Sequence, residues 1–274
     1  MRTILRTLVL FLVATTPTLA AEGIAFISDM KGDVAIDGNP RPMLLSELAR
    51  GQKLTVGKDS QAHVMYISTG KEYVLRGPAD YFVKDTEIAG SIMPPVSRST
   101  DWRANARVLS QVAQTSAASV RMRSIAAPKP PATVKTFPAE GTIATLQPVF
   151  RWKEEAQPTE FTLLVVGHDK PVHVARSLPG ATYKLPTKLR PETEYVWTAV
   201  AAGNEVGAGR FRTLSTDALT RIDKRRPSER AEFSDRLMFA LLLQEMGATQ
   251  EAREAWAKLS QERADLPELS ALAR

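Results

Sequence analysis

The chain has no cysteine. That excludes a disulfide framework, a cysteine nucleophile and any thiolate metal site. Only three histidines, His63, His168 and His173, are present for acid–base or metal work. There is no Gly-x-Ser-x-Gly elbow and no His-Glu-x-x-His pair, which removes the commonest sequence marks of an α/β hydrolase and a zinc protease. Beyond the N-terminus no apolar run approaches the roughly 20 residues needed to cross a bilayer. What is present is globular in kind. Hydrophobic residues make up 43% and charged residues 24% of 274, enough to build cores and too many for wholesale disorder. The length suits two ordinary domains with appendages.

Residues 1–20 have the plan of a secretory signal peptide. Arg2 and Arg6 form a positive start, Thr7 to Ala14 an apolar core, Pro17 a helix break, and Thr18-Leu19-Ala20 a small-residue cleavage site. Export to the periplasm or cell envelope is expected, with an uncleaved N-terminal anchor as the alternative. No cysteine follows the apolar core, so bacterial lipoprotein anchoring is excluded.

Residues 21–93 read as a small all-β domain. Short apolar runs such as Ile24 to Ile27, Ala62 to Ile67 and Tyr73 to Leu75 alternate with turn signals at Gly32, Gly38, Gly57 and Gly70. Leu44 to Leu48 reads as a loop or helical turn. Gly32-Asp33-Val34, Gly38, Gly51, Gly57, Ala62-His63-Val64, Tyr73-Val74-Leu75, Gly77-Pro78-Ala79 and Tyr81-Phe82-Val83 follow in an order that resembles the periplasmic FecR-like domain. The resemblance implies an envelope protein, and in some members a regulator that signals to sigma factors. Those regulators carry a cytoplasmic segment before a membrane span, whereas only six residues precede the apolar core here.

Pro94-Pro95 is expected to close this domain. Residues 94–135 then read as a basic linker: a helix from Asp101 to Ile125, striped by Trp102, Ala106, Leu109, Ala113, Ala117 and Val120, and a stiff Pro-rich end. Arg103, Arg107 and Arg121 lie beside that stripe. The helix is expected to pack on a β module rather than lie on a membrane, because its stripe has little bulk.

Residues 136–216 form a second β unit. Pro148 to Trp152, the strand Glu160 to Val166, the stretch Leu189-Arg190-Pro191-Glu192-Thr193-Glu194-Tyr195 and the ending Phe211-Arg212-Thr213 resemble a fibronectin type III domain. The resemblance implies a β-sandwich with Trp152 in its core. It also implies a tyrosine corner, in which the Tyr195 ring is buried and its hydroxyl bonds back to the chain. Gly207 and Gly209 read as a hairpin turn. Residues 217–274 read as helical: one helix capped by Ser228 and running to Met246, a stop at Gly247, and a second helix from Thr249. Ala240, Leu243, Gly247, Ala252, Trp256 and Leu259 resemble one tetratricopeptide-like unit. A single unit does not stand alone, so it is expected to cap the neighbouring β module or bind a partner helix.

Chemistry-bearing clusters are sparse. His168, Asp169 and His173 could face one another across a turn, but two or three such groups on a loop more often face solvent than hold zinc. Paired carboxylates such as Glu154-Glu155 are indistinguishable from surface charge. No catalytic, cofactor or metal residue is assigned. The formal charge of +6 is unevenly spread. Two of the cations leave with the signal peptide, the three folded units are nearly neutral, and residues 94–135 hold seven basic residues against Asp101. That argues against nucleic acid, which calls for a broad basic patch with interleaved aromatics.

The expected class is therefore multidomain and mainly β: a small FecR-like domain and a fibronectin-like sandwich, with a linker helix and a C-terminal α-hairpin. The expected role is a non-enzymatic envelope interaction or scaffold protein, or a sensor component. Trp102, Arg103, Arg107, Lys224, Arg225 and Arg226 are the candidate partner contacts, and the linker could also meet an anionic membrane surface. The alternatives are a cell-wall or polysaccharide binder, a membrane-anchored FecR-type regulator and an undetected hydrolase.

Overall fold

A computed structural model describes residues 23–100, 102, 136–152, 157–228 and 230–273. The signal segment, Arg103, Arg107, Glu154-Glu155 and the linker helix apart from Trp102 lie outside the described residues. The protein is mainly β, with several sheets and a helical unit. Among the described residues no helix is long and apolar enough to cross a membrane.

The N-terminal unit has nine strands: β1 (Ala25–Lys31), β2 (Val34–Ile36), β3 (Glu47–Leu48), β4 (Lys53–Val56), β5 (Gln61–Tyr66), β6 (Lys71–Arg76), β7 (Ala79–Val83), β8 (Ile88–Gly90) and β9 (Val96–Ser99). They form two antiparallel sheets, ordered β3-β1-β5-β6-β9 and β2-β4-β7-β8. The first sheet does not stop at Pro94-Pro95. β9 pairs with β6, Lys71 opposite Ser99 and Val74 opposite Val96, so the unit extends past the expected boundary at 93. Leu44 and Leu45 sit in a buried turn that leads into β3, rather than in a helical turn.

Side-chain parity explains the layering. Successive residues of a strand face opposite sides. Ala25 and Ile27 of β1, with Ala62, Val64 and Tyr66 of β5, meet the second sheet. Phe26 and Met65, one residue out of step, enter the core of the helical unit. The central strands are thus covered on both faces, which is why they read as continuous apolar runs rather than alternating ones.

The second β unit has seven strands among its described residues: β10 (Thr142–Ile143), β11 (Val149–Arg151), β12 (Glu160–Val165), β13 (His173–Arg176), β14 (Thr182–Lys184), β15 (Glu194–Ala201) and β16 (Asn204–Thr213). A five-stranded sheet, β10-β16-β15-β12-β13, faces the pair β11-β14. Phe150, Trp152, Phe161, Trp197 and Phe211 fill the space between them. Phe150 meets Phe161, Trp197 and Phe211 edge-on, with ring centroids 4.8, 5.2 and 6.0 Å apart. Such pairs add about 0.5–1.5 kcal/mol each beyond the area they bury. Tyr195 is buried, and its hydroxyl oxygen accepts the Arg190 N–H at 2.9 Å. Gly207 and Gly209 are not a turn. They lie within β16, opposite Ala199 and Trp197. A Cβ on Gly209 would stand 2.1 Å from the Pro138 carbonyl oxygen and 2.7 Å from Trp197 Nε1. The glycine is required because that indole donates to that carbonyl at 2.7 Å across the strand.

The C-terminal unit has four described helices: α1 (Thr216–Arg225), α2 (Phe233–Glu245), α3 (Thr249–Glu262) and α4 (Pro267–Leu272). Ser215, not Ser228, supplies a side-chain cap, accepting from Ala218 N–H. Ser228 belongs to a turn in which its carbonyl accepts from Ala231, and α2 begins later, with Phe233 already buried. α2 ends in a Schellman arrangement: Ala248 N–H reaches Leu243 O and Gly247 N–H reaches Gln244 O, with Gly247 at φ +78°. Leu237 to Leu243 are all buried, so α2 is enclosed on every side. It packs between α3 and the first sheet. The hairpin therefore covers the β unit that is remote in sequence as well as touching the adjacent one.

Candidate functional site

Four of the six sequence-derived contact residues come together at one place. β9 carries the chain to Thr100 and Trp102, and α1 ends at Lys224, Arg225 and Arg226. A cleft of about 340 Å3 lies between them, with the start of α2 as its third wall. Trp102 is 3% exposed and serves as packing as much as surface. Its indole N–H points to Asp235 Oδ1 at 3.3 Å. The Arg225 guanidinium lies 5.9 Å from the centroid of that indole, within cation–π range. Arg226 lies 5.6 Å from the Phe239 ring centroid and pairs with Asp223 at 3.2 Å. Lys224 is exposed.

Arg98 stands at the back of this cleft and was not among the expected contacts. It is a structural cation. Its Nε donates to Glu72 Oε2 at 2.5 Å, Nη1 to Asp235 Oδ2 at 2.9 Å and Nη2 to Ser234 Oγ at 2.9 Å. Glu72 is fully buried and also accepts from Ser28 Oγ at 2.7 Å. His63 Nδ1 faces it from 3.6 Å. Burial alone would raise the Glu72 carboxyl. The facing His63, the Ser28 hydroxyl and the Arg98 charge outweigh burial and hold it at about 2. One of the seven linker cations is thus committed to an internal ion pair, and the chain Glu72–Arg98–Asp235–Trp102 ties the first sheet to α2 and to the cleft floor. The sequence signal for it was faint, because Glu72 sits beside Lys71 in a strand and reads as a solvent-facing charge.

Other candidates are scattered. His63 is buried in β5 beside Glu72. His168 is exposed in the β12–β13 turn, and His173 on β13 contacts the Tyr183 hydroxyl at 2.5 Å. Among the described residues no three metal-ligating side chains gather. The Ser28, Glu72 and His63 group lacks the order of a catalytic triad. The carboxylate lies between the hydroxyl and the ring, and the hydroxyl is sealed from solvent.

What the cleft can do is bind. It presents two exposed cations, Lys224 and Arg226, beside a guanidinium resting on an indole, and Asp235 is already engaged by Arg98 and Trp102. Carboxylates of a partner chain fit such a surface. No protein-family model matches the chain, and no curated protein sequence does either.

Proposed function

We propose that the protein is a non-enzymatic interaction and scaffold component of the bacterial envelope, exported by its N-terminal segment and contacting an acidic protein partner through the cleft at Trp102, Lys224, Arg225 and Arg226. In this reading residues 23–100 are a FecR-like domain, residues 136–216 a fibronectin type III-like sandwich, and the C-terminal hairpin a tetratricopeptide-like unit that joins them. The tyrosine-corner bond of Tyr195 and the Gly247 helix stop support the last two assignments. The observation that carries the function is convergence. Two basic or aromatic segments far apart in sequence are assembled into one cation-rich cleft, over a floor fixed by the buried Arg98 network.

The test is site-directed crosslinking in the envelope from a photoreactive residue at position 231, in the wall of the same cleft. The expected result is a discrete adduct through an acidic segment of the partner. It weakens as salt is raised and is lost in a Lys224→Glu, Arg226→Ala double variant. An adduct indifferent to both salt and the double variant overturns the reading. Mass spectrometry of the mature N-terminus tests export: a chain starting at Ala21 rules out the retained anchor. A polysaccharide-binding role draws no support from the tryptophans, since Trp102, Trp152, Trp197 and Trp256 are all buried and none offers a stacking face to a sugar.

A further inference from the structure

A second hollow lies in the sandwich on the β13 edge of the five-stranded sheet, whereas β10, which meets α3, forms the opposite edge. The β12–β13 turn and the connection from β14 to β15 stand beyond the sheet edge and enclose about 660 Å3 between them. That volume is of the size that holds a small organic molecule. Its apolar floor is offered by Val165, Pro171 and Val172, with the buried Leu163, Leu185, Leu189 and Tyr195 also in its lining. Its rim carries Lys170, Lys188 and Arg190 against the single carboxylate of Asp169. All three cations are exposed, and among the described residues none of them is in an ion pair. His168 and His173 complete the wall.

We infer that this hollow is a binding site for a small amphipathic anion: a molecule with an aromatic or short aliphatic body and one carboxylate, sulfonate or phosphate group. The apolar floor takes the body. The three cations, lacking protein counter-charges, take the acidic group at the rim. The floor is preformed, because Leu163 and Tyr195 lie on neighbouring paired strands and Leu189 N–H is tied to Leu146 O at 2.8 Å. Binding therefore requires little ordering of the backbone. This site is independent of the cleft at Trp102 and stands or falls apart from it.

The histidines make the test local. Two of the three in the chain line this hollow, and His63 lies in the other β unit as an internal control. The probe is 8-anilinonaphthalene-1-sulfonate, titrated into the full chain and followed by the histidine ring signals in NMR. The expected result is saturable movement of His168 and His173 with His63 unmoved. A Lys170→Glu, Lys188→Glu double variant should weaken the sulfonate probe by about tenfold or more. The same variant should leave the neutral N-phenyl-1-naphthylamine within about twofold of its original affinity. An unchanged signal from the Trp197 indole N–H, which is bonded to Pro138 O in the sandwich core, certifies that the variant's sandwich is folded. Unsaturable movement, equal movement of all three histidines, or equal loss of both probes overturns the inference.

Discussion

On the side of the N-terminal unit, the helices receive Phe26, Leu44, Leu45 and Met65 into their own apolar core. They reinforce that contact with shielded charge. Arg263 of the α3 terminus reaches Asp29 and the Met30 carbonyl, Arg98 joins Glu72 to Asp235, and Glu268 accepts the buried Leu44 N–H at 2.7 Å. On the side of the sandwich, among the described residues, Ala144 enters the helical core and the partly buried Leu214 packs against it. There the helix α3 offers polar side chains to the backbone. Gln250 accepts from Ala139 N–H at 3.0 Å and donates to Thr136 O at 2.7 Å, Glu251 accepts from Ala144 N–H at 2.7 Å, and Glu254 pairs with Arg151. One joint is a shared core with ion pairs inside it. The other is a row of hydrogen bonds. Apolar burial is non-directional and large in sum, whereas a row of polar contacts is directional and modest in net worth. The N-terminal unit and the hairpin should therefore melt as one body, with the sandwich a separable neighbour.

The strongest break is Arg98→Ala. Removing the cation leaves Glu72 charged, buried and without the Arg98 guanidinium, an expected loss of about 3–5 kcal/mol in urea unfolding. Hydrogen exchange should rise together in β6, β9 and α2, which share the network, and stay unchanged in β15. Replacing both members, Glu72→Leu with Arg98→Met, should recover part of that loss, because the buried Glu72 charge is gone while the partly exposed Asp235 still lacks its cation. The acid limb follows from the same pair. The Glu72 carboxyl is held at about 2, below its ordinary value of 4.5, so its contribution is present above about 4.5 and lost as pH falls towards 2. Intact Glu72 should therefore show an acid-unfolding limb in that window, which the double replacement removes.

The second joint should yield to a smaller change. Gln250→Ala strips the partners from Ala139 N–H and Thr136 O at once. The expected cost is about 2–3 kcal/mol, since each group left unpaired loses about 1 kcal/mol or more. Exchange should increase at residues 136–144 while β1 and β5 stay protected. If β1 and β5 lose protection equally, the two joints are one cooperative unit and the contrast between them fails.

Much of the architecture was legible in residue pattern, and what escaped did so for identifiable reasons. The longer strands of both β units announced themselves through apolar runs and turn glycines, and Tyr195 through the Leu-x-Pro-x-Thr-x-Tyr spacing, whereas the short strands β3, β8, β10, β13 and β14 did not. β9 did not, because Val96–Ser99 is an edge strand with exposed side chains, held by backbone pairing alone. α1 did not, because only Leu219 and Ile222 are buried along it. The apolar circumference of α2 showed that it must be enclosed but not by what. The clue was the double-sided apolar character of β1 and β5, which a parity reading would have exposed. At the cleft, the basic run Lys224-Arg225-Arg226 and the lone Trp102 were both visible. Their meeting, and the role of Arg98 beneath them, depended on contacts between segments more than a hundred residues apart.

The finest test of the comparison is electrostatic, at Glu251. Its carboxyl sits in the second joint, with Oε1 accepting from Ala144 N–H and Oε2 buried without a hydrogen-bond partner. Burial raises it to about 6, despite the backbone N–H that favours the charged form. An acid whose folded value lies above its unfolded one stabilises the fold fully below about 4.5, and that contribution is lost as pH rises through about 6. The sandwich joint should therefore tighten by about 2 kcal/mol between pH 7.5 and pH 4.5. The Glu72 network gains nothing over that span, because its carboxyl is already ionised throughout. Glu251→Gln keeps the acceptor for Ala144 and removes the charge. It should stabilise the joint at pH 7.5 by about 1–2 kcal/mol and flatten its pH dependence. The measurement is exchange at residues 142–144 against exchange at β5, at both pH values, in the parent and in Glu251→Gln. Equal pH dependence in the two chains would place the titrating group elsewhere and leave the second joint no softer at neutral pH than the first.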